Sequence, residues 1–165
     1  MFEITTDRLV LRKVITEQEK KSLVYLLNDW EVARWLTNVP YPYTYDDLED
    51  YLLISNSNEL DLNIFFNDQI IGRVGLTLDN DDNHFDLGYF LGKEFWSKGY
   101  ATEASESLLN YALDNLDSPK IKSGYFIDNI RSGNILKKLG FKEIGIKKWY
   151  SLANNKEMDL MLMVL

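Results

Sequence analysis

Asn129-Ile-Arg-Ser132-Gly-Asn134-Ile-Leu-Lys-Lys138-Leu-Gly140-Phe141 is the stretch on which the reading of this chain turns. Asn129 can cap a short helix, and Gly140 stands where a left-handed C-terminal cap is wanted. An earlier run, Trp96-Ser97-Lys98-Gly99-Tyr100-Ala101-Thr102-Glu103-Ala104, opens a longer helix. Its Ala101, Ala104, Leu108, Leu109, Ala112, Leu113 and Leu116 fall largely along one stripe. Pro119 closes the loop that follows, and Ile121 to Ile127 reads as one strand between the two helices. Either run alone is a weak signal. Two helix N-termini in this order, separated by a single strand, form a strong one.

Outward from this pair, the pattern alternates between two periods. Arg8 to Val14 alternates apolar and polar residues, as a strand does. Glu17 to Asn28 carries Leu23, Leu26 and Leu27 at helical spacing, and a second short helix holds Val32, Trp35 and Leu36. Pro40 and Pro42 break the chain, and a further helix starts at Thr44 or Tyr45 and runs through Leu48, Tyr51 and Leu52. Leu62 to Phe66 and Ile70 to Leu78 are strands around an Asn67-Asp68 hairpin turn. Asp79 to Asn83 is a second turn, followed by the strand His84 to Leu91. Phe141 to Leu152 and Met158 to Leu165 are the last two strands. The order β-ααα-βββ-α-β-α-ββ predicts an α/β fold with a mixed sheet and helices on both faces.

Composition narrows the function. The chain has 165 residues, of which 45% are hydrophobic and 13% aromatic, sufficient for a proper core in one domain. No run approaches the roughly 18 uninterrupted apolar residues of a membrane span, and Met1 to Asp7 lacks the features of a signal peptide. A soluble cytoplasmic protein is expected. With no cysteine there is no disulfide framework, thiolate metal site or cysteine nucleophile. A single histidine excludes a multi-histidine metal site, and His84 reads as a solvated strand-edge residue. The acidic Asp79–Asn83 segment lacks the glutamate that closes a calcium loop, so no metal is expected. No Gly-x-x-x-x-Gly-Lys-Ser/Thr loop is present. A net charge of −8 argues against nucleic acid as a partner. It favours a cationic partner, or serves solubility alone.

The two runs together resemble the cofactor motifs of the GCN5-related N-acetyltransferases, the GNAT superfamily. They are most similar to the branch containing the ribosomal-protein acetyltransferases RimJ and RimL. The first run resembles the superfamily's Gln/Arg-x-x-Gly-x-Gly/Ala motif, with Trp96 where Gln or Arg is usual, as in that branch. The second matches its Asn-x-x-Ser-x-x-x-x-x-Lys-x-Gly-Phe pattern. The resemblance covers nearly the whole chain. It implies a single N-acetyltransferase domain over residues 1–165 with a mixed, largely antiparallel sheet, and acetyl-CoA as co-substrate without a metal. It also implies a cofactor site built from Tyr89, Phe90, Leu91, Trp96, Ser97, Lys98, Gly99, Tyr100, Ala101, Thr102, Asn129, Ser132, Asn134 and Lys138. The branch commonly forms homodimers, so a homodimer is compatible with it.

Physical chemistry gives these residues plausible tasks. A helix N-terminus presents unpaired N–H groups and the positive end of the helix dipole to a pyrophosphate. Gly99 and Ala101 keep the approach open, and Lys98 adds charge at the rim. The plainer alternative is a loop that needs Gly99 for an unusual φ before an ordinary core helix. In the family's role Asn129 bonds the amide-bearing arm of the cofactor and Ser132 lies near its sulfur. Many relatives place a tyrosine acid seven residues after that asparagine; Leu136 stands there in this chain, leaving Ser132 as the candidate. Helix capping by Asn129 and Ser132 is compatible with both roles. The strand His84–Leu91 resembles the family's splayed strand, with N–H groups around Tyr89 to Leu91 free to bind an oxyanion. Its period puts Asp86, Gly88 and Phe90 on one face, and Leu87, Tyr89 and Leu91 on the other. Asp86 stands where relatives often carry a glutamate base; a solvated edge carboxylate is the alternative. The resemblance places the aromatic segment over the acceptor, so Trp35, Tyr41 and Tyr43 are candidate acceptor contacts.

The expected reaction is direct attack of a neutral amine on the thioester. Deprotonating a lysine of pKa about 10.4 at pH 7 costs roughly 4.6 kcal/mol, against about 1 for an α-amine near 7.8. With no unambiguous strong base in the sequence, a protein N-terminal α-amine is favoured, as the RimJ/RimL likeness also implies. Polyamines or other small amines are the alternative acceptors, and a non-catalytic acyl-CoA-binding module is the alternative of another class.

Overall fold

The computed structural model describes residues 2–14 and 16–165. Eight strands form one sheet in the order β1-β2-β3-β4-β5-β6-β8-β7. They are β1 Glu3–Thr5, β2 Val10–Arg12, β3 Asp61–Phe66, β4 Gln69–Asp79, β5 His84–Leu91, β6 Ile121–Phe126, β7 Lys142–Ser151 and β8 Lys156–Val164. The helices are α1 Glu17–Leu27, α2 Trp30–Ala33, α3 Tyr45–Ser55, α4 Tyr100–Asn115 and α5 Ile130–Lys138, with a 3-10 turn at Lys93–Phe95. Every strand pair is antiparallel except β5 with β6. The mixed, largely antiparallel sheet expected from the sequence is therefore present.

Local chemistry sets the boundaries. Thr16 and Glu19 make a reciprocal capping box at the start of α1, and Thr44 with Asp47 does the same for α3. The helix expected to open at Thr44 or Tyr45 thus has Thr44 as its cap. Asn67 and Asp68 both take positive φ, the pair of left-handed residues that a two-residue hairpin requires. The Asp79 carboxylate accepts N–H bonds from Asp81 and Asp82, so the acidic run is a turn. α5 stops at Gly140, where the Phe141 N–H reaches back to Leu136. Two boundaries differ from expectation. The strand predicted over 8–14 is only Val10–Arg12, preceded by β1, a three-residue partner too short to show a period. The helix expected to hold Trp35 and Leu36 ends at Ala33, and both residues sit in the turn beyond it.

Alternation along the strands sorts two cores. Leu11, Leu62, Ile64, Ile71, Leu76, Leu87 and Leu91 pack under α4 and α5 with Ala104, Leu108 and Leu136. Phe65 and Ile70, pointing the other way, pack under α1 and α3 with Leu23, Leu27, Leu48 and Leu52. Helices therefore cover both faces, as the element order implied. A buried ion pair ties α3 to the sheet: Arg73 on β4 grips Asp61 on β3 through Nε at 2.9 Å and Nη2 at 2.8 Å. Arg73 also donates to Ser55 Oγ on α3, and its guanidinium lies 3.9 Å from the Tyr51 ring centroid.

Removing one member of such a pair leaves a largely buried charge without its partner. Arg73→Ala should therefore lower the unfolding free energy by about 3–5 kcal/mol in urea titration. Arg73→Met with Asp61→Leu should recover most of that loss, because the uncompensated charge is gone.

Candidate active site

β5 and β6 lie side by side only through Phe85–Ile121, Asp86–Lys122 and Leu87–Ser123. Past Leu87 they diverge. Ser123 Oγ donates to the Leu87 carbonyl at 2.8 Å, so a side chain occupies the place of the next ladder partner. Phe85 N–H points towards β6, onto Lys120 O, while Gly92 N–H points towards β4, onto Ile71 O. By alternation, the N–H groups of Tyr89 and Leu91 face the gap and that of Phe90 faces β4. The free edge donors are thus Tyr89 and Leu91, and Phe90 contributes its side chain to the opposite face. Leu87, Tyr89 and Leu91 pack on the α4 side, as the period of two predicted.

The gap opens into a cavity of about 1170 Å³ that crosses the sheet and carries two different linings. One end is built on the α4 N-terminus. Gly99 holds φ +82 and caps α4 without any side-chain hydrogen bond, so the first-turn N–H groups lack a cap. Ser97 also has positive φ, curling the chain around these donors. Ser97, Gly99, Tyr100, Ala101 and Thr102 all line the cavity. An acid in this first turn, Glu103, would oppose an anion, but Arg8 neutralises it at 2.6 Å. Arg8 also donates to Lys98 O, tying the turn to the chain before β2. Burial would raise the Glu103 carboxyl, yet hydrogen bonds from Thr6 and Arg8 hold it below its ordinary value.

α5 supplies the facing wall. Asn129 Oδ1 accepts from Ser132 N–H at 3.3 Å, so Asn129 is the cap that its position predicted. Gly133 lets α5 approach β6: a Cβ there would stand 2.6 Å from the Tyr125 ring. Ser132 Oγ lies 2.9 Å from the Tyr89 hydroxyl. Asn134 and Lys138 also line the cavity. Trp96 donates its indole N–H to Leu91 O and is covered by the Arg131 guanidinium at 3.9 Å.

The other end opens on the α1–α3 side. Trp35 and Tyr43 line it; Tyr41 instead packs edge-on against Trp30 at 5.1 Å, outside the cavity. Tyr43 is held in place by Asn28, which accepts from its N–H and donates to its carbonyl. Burial pushes the Tyr43 phenol up to about 12. Asp47, Asp50, Asp79 and Asp86 face the same space, and Lys147 and Trp149 of β7 close its far side.

Several sequence expectations need correction. His84 is buried, only 6% exposed, with Nε2 at 3.2 Å from Asp86 and Nδ1 at 3.3 Å from Asp82. It is not the solvated residue expected: Asp82 of the turn and Asp86 of β5 flank its two nitrogens. Ligand-type atoms of Asp79, His84 and Asp86 lie within 4.8 Å of one another, a spacing that could hold a cation. His84 Nδ1 is buried without a hydrogen-bond partner among the described residues, and Lys122 pairs with the neighbouring Asp82. Lys98 turns onto Glu94 O, away from the cavity. Arg131, which the motifs did not single out, lines the α4–α5 end instead, beside Lys138. Its only sequence signal was a base within the first turn of α5, where a helix dipole disfavours one.

Unpartnered helix donors, free strand-edge N–H groups and nearby cations at one end suit a pyrophosphate on an amide-bearing arm. The profile of the acetyltransferase (GNAT) domain family matches residues 8–142, and the chain belongs to that family. It is an acetyl-CoA-dependent N-acetyltransferase of GNAT type. An uncharacterized N-acetyltransferase, p20, of Bacillus licheniformis is 26% identical, over 97% of this chain and 93% of that one. The [ribosomal protein uS5]-alanine N-acetyltransferase of Escherichia coli is 33% identical over 48% of this chain and 41% of its own. RimL, a ribosomal L7/L12 α-N-protein acetyltransferase solved with coenzyme A, superposes with TM-score 0.81 at 16% identity, covering 99% and 97% of the two chains. The spermidine N-acetyltransferase of Vibrio cholerae, solved with CoA and spermine, gives 0.79 at 18% over 97% and 96%.

The Gly99 turn is open to direct test. Gly99→Glu adds bulk and negative charge where the anion should sit, and it places a side chain on a left-handed residue. Calorimetric titration should show acetyl-CoA affinity lowered by at least about tenfold in a folded variant.

Proposed function

We propose that this acetyltransferase modifies a cationic amine, foremost a protein N-terminal α-amine, entering from the α1–α3 side. The observation that carries this reading is the charge asymmetry of one cavity. Its α4–α5 end presents helix N–H groups, Arg131 and Lys138; its other end carries Asp47, Asp50, Asp79, Asp82 and Asp86, which outnumber Lys122 and Lys147 there, while Arg73 is paired with Asp61. An ammonium is drawn to the second end and a pyrophosphate to the first. The lower cost of deprotonating an α-amine supports the N-terminal acceptor. Polyamines are the second reading, supported by the number of carboxylates spread along that end, which a polycation could meet in series.

In this reading the acetyl-CoA thioester supplies the acyl group, and the chain's own residues do the rest. Asn129 and the gap-facing edge of β5 hold the arm. The Tyr89 and Leu91 N–H groups receive the negative charge that grows on the acyl oxygen. Ser132 donates a hydrogen bond towards the leaving sulfur. Asp86, its carboxylate half exposed, takes the amine's proton through water. The RimJ/RimL-like character and a cytoplasmic setting belong to the same proposal. Among the described residues no helix is long and apolar enough to cross a membrane.

A panel of N-terminal peptides and polyamines, scored by acetyl-CoA-dependent thiol release, tests the acceptor class; release with small neutral amines alone would refute it. With the acceptor in hand, Asp86→Asn should leave acetyl-CoA affinity nearly unchanged and raise the pH at which the rate reaches its plateau. Added salt should weaken acceptor capture more in the wild type than in the variant. Superimposed pH and salt profiles would make Asp86 a bystander.

A further inference from the structure

Ser132 meets a geometric requirement in the role proposed above, on which this inference rests. Its hydroxyl carries one proton, which serves a leaving sulfur only when it points into the cavity. Serines within helices commonly turn that proton onto the carbonyl one turn back. Ser132 instead sets its Oγ 2.9 Å from the Tyr89 hydroxyl, which also lies 3.2 Å from Ser132's own carbonyl.

The phenol has one proton and two acceptors within reach. In the first arrangement Tyr89 donates to the Ser132 carbonyl, and the serine proton rests on the phenol oxygen. In the second, Tyr89 donates to Oγ, and the serine proton is released towards the cavity. Negative charge on sulfur favours the second, because a charge-assisted hydrogen bond is roughly twice as strong as a neutral one. We infer that Tyr89 is the positioning residue of the leaving-group site, turning the Ser132 hydroxyl outwards as sulfur becomes anionic. Tyr89 thus reaches the leaving-group site from β5, where α5 carries Leu136 rather than a tyrosine, but it acts through Ser132.

Tyr89 does not itself act as the acid. Burial pushes its phenol up to about 12, against the opposing hydrogen bond with Ser132. A thiol near 8.5 is the stronger acid, so full transfer of the phenol proton to a thiolate runs uphill. The balance of the step is simple. The nitrogen–carbon bond forms, the carbon–sulfur bond breaks with its electron pair going to sulfur, and the amine's proton leaves through the acceptor end. Sulfur departs as a thiolate hydrogen-bonded to Ser132 and takes its proton from water.

The test is a double-mutant cycle on the whole chain with acetyl-CoA and an acceptor identified by the screen. Tyr89→Phe removes only the hydroxyl and keeps the backbone N–H. It should lower kcat about tenfold, the scale of one neutral hydrogen bond, with acetyl-CoA affinity unchanged. Ser132→Ala should lower kcat further, by about 10²-fold. The double variant should match Ser132→Ala alone, because Tyr89 acts through that serine. A fluorinated tyrosine at 89, a stronger acid, should make the rate fall at a lower alkaline pH than in the wild type. Unchanged kcat in Tyr89→Phe with a reduced Ser132→Ala overturns the inference alone. Additive losses overturn it too, since Tyr89 would then act independently. An unchanged Ser132→Ala overturns both it and the leaving-group role of Ser132.

Discussion

The structure depends on a ladder that stops. Backbone N–H and C=O groups inside a protein are almost always paired, and a parallel strand pair normally continues until both strands end. In this chain β5 and β6 separate after Leu87 and Ser123, while each continues to bond its other neighbour. The Ser123 hydroxyl satisfies the last paired carbonyl, so the opening needs no orphaned group at its apex. Beyond it, the strand edge remains available to a ligand with amides of its own. α5 is pulled against the opening because Gly133 leaves room for Tyr125. α4 begins where β5 ends, after a short turn pinned by the Trp96 indole on Leu91. The positions of both helix N-termini therefore follow from where the sheet parts.

Much of this was legible in the sequence because it is local. Caps, proline breaks, the Asn67-Asp68 turn and the apolar periods of α1 and α4 are properties of neighbouring residues, and they appear where the pattern put them, except that Leu113 of α4 is exposed and Leu116 caps the helix. β1 was missed because three residues carry no measurable period. The face assignments along β5 held because alternation is a strict rule of extended chains. The reach of those side chains was not legible: the period places Tyr89 on the α5 face but cannot show its hydroxyl meeting Ser132. His84 illustrates the same limit. It is buried, with Asp82 of the preceding turn and Asp86 of β5 beside it, which strand alternation alone does not reveal. Lys98 left its expected place and Arg131, not singled out by the motifs, lines the cavity, because long side chains choose partners in space and Lys98 found a carbonyl on its own turn.

Charge is also distributed by the fold rather than by the sequence alone. A net charge of −8 says nothing about where the acids gather. The sheet gathers Asp79 and Asp86 on one face of the β4–β5 hairpin, and α3 contributes Asp47 and Asp50 to the same cavity. The buried Arg73–Asp61 pair beneath is self-neutralising, so it fixes α3 without altering that field.

One contact has a consequence for how such a protein can diversify. Asn154, in the turn between β7 and β8, donates to the Arg34 carbonyl just after α2 at 2.7 Å. The end proposed to admit the acceptor is thus bordered by two segments far apart in the chain and joined by one side chain, whereas β5, α4 and α5 build the end proposed for the cofactor. Insertions or substitutions in either latched loop can reshape what enters from that side while the thioester's seat stays intact. Such an enzyme can drift between acceptors by small steps, each retaining a working acyl donor.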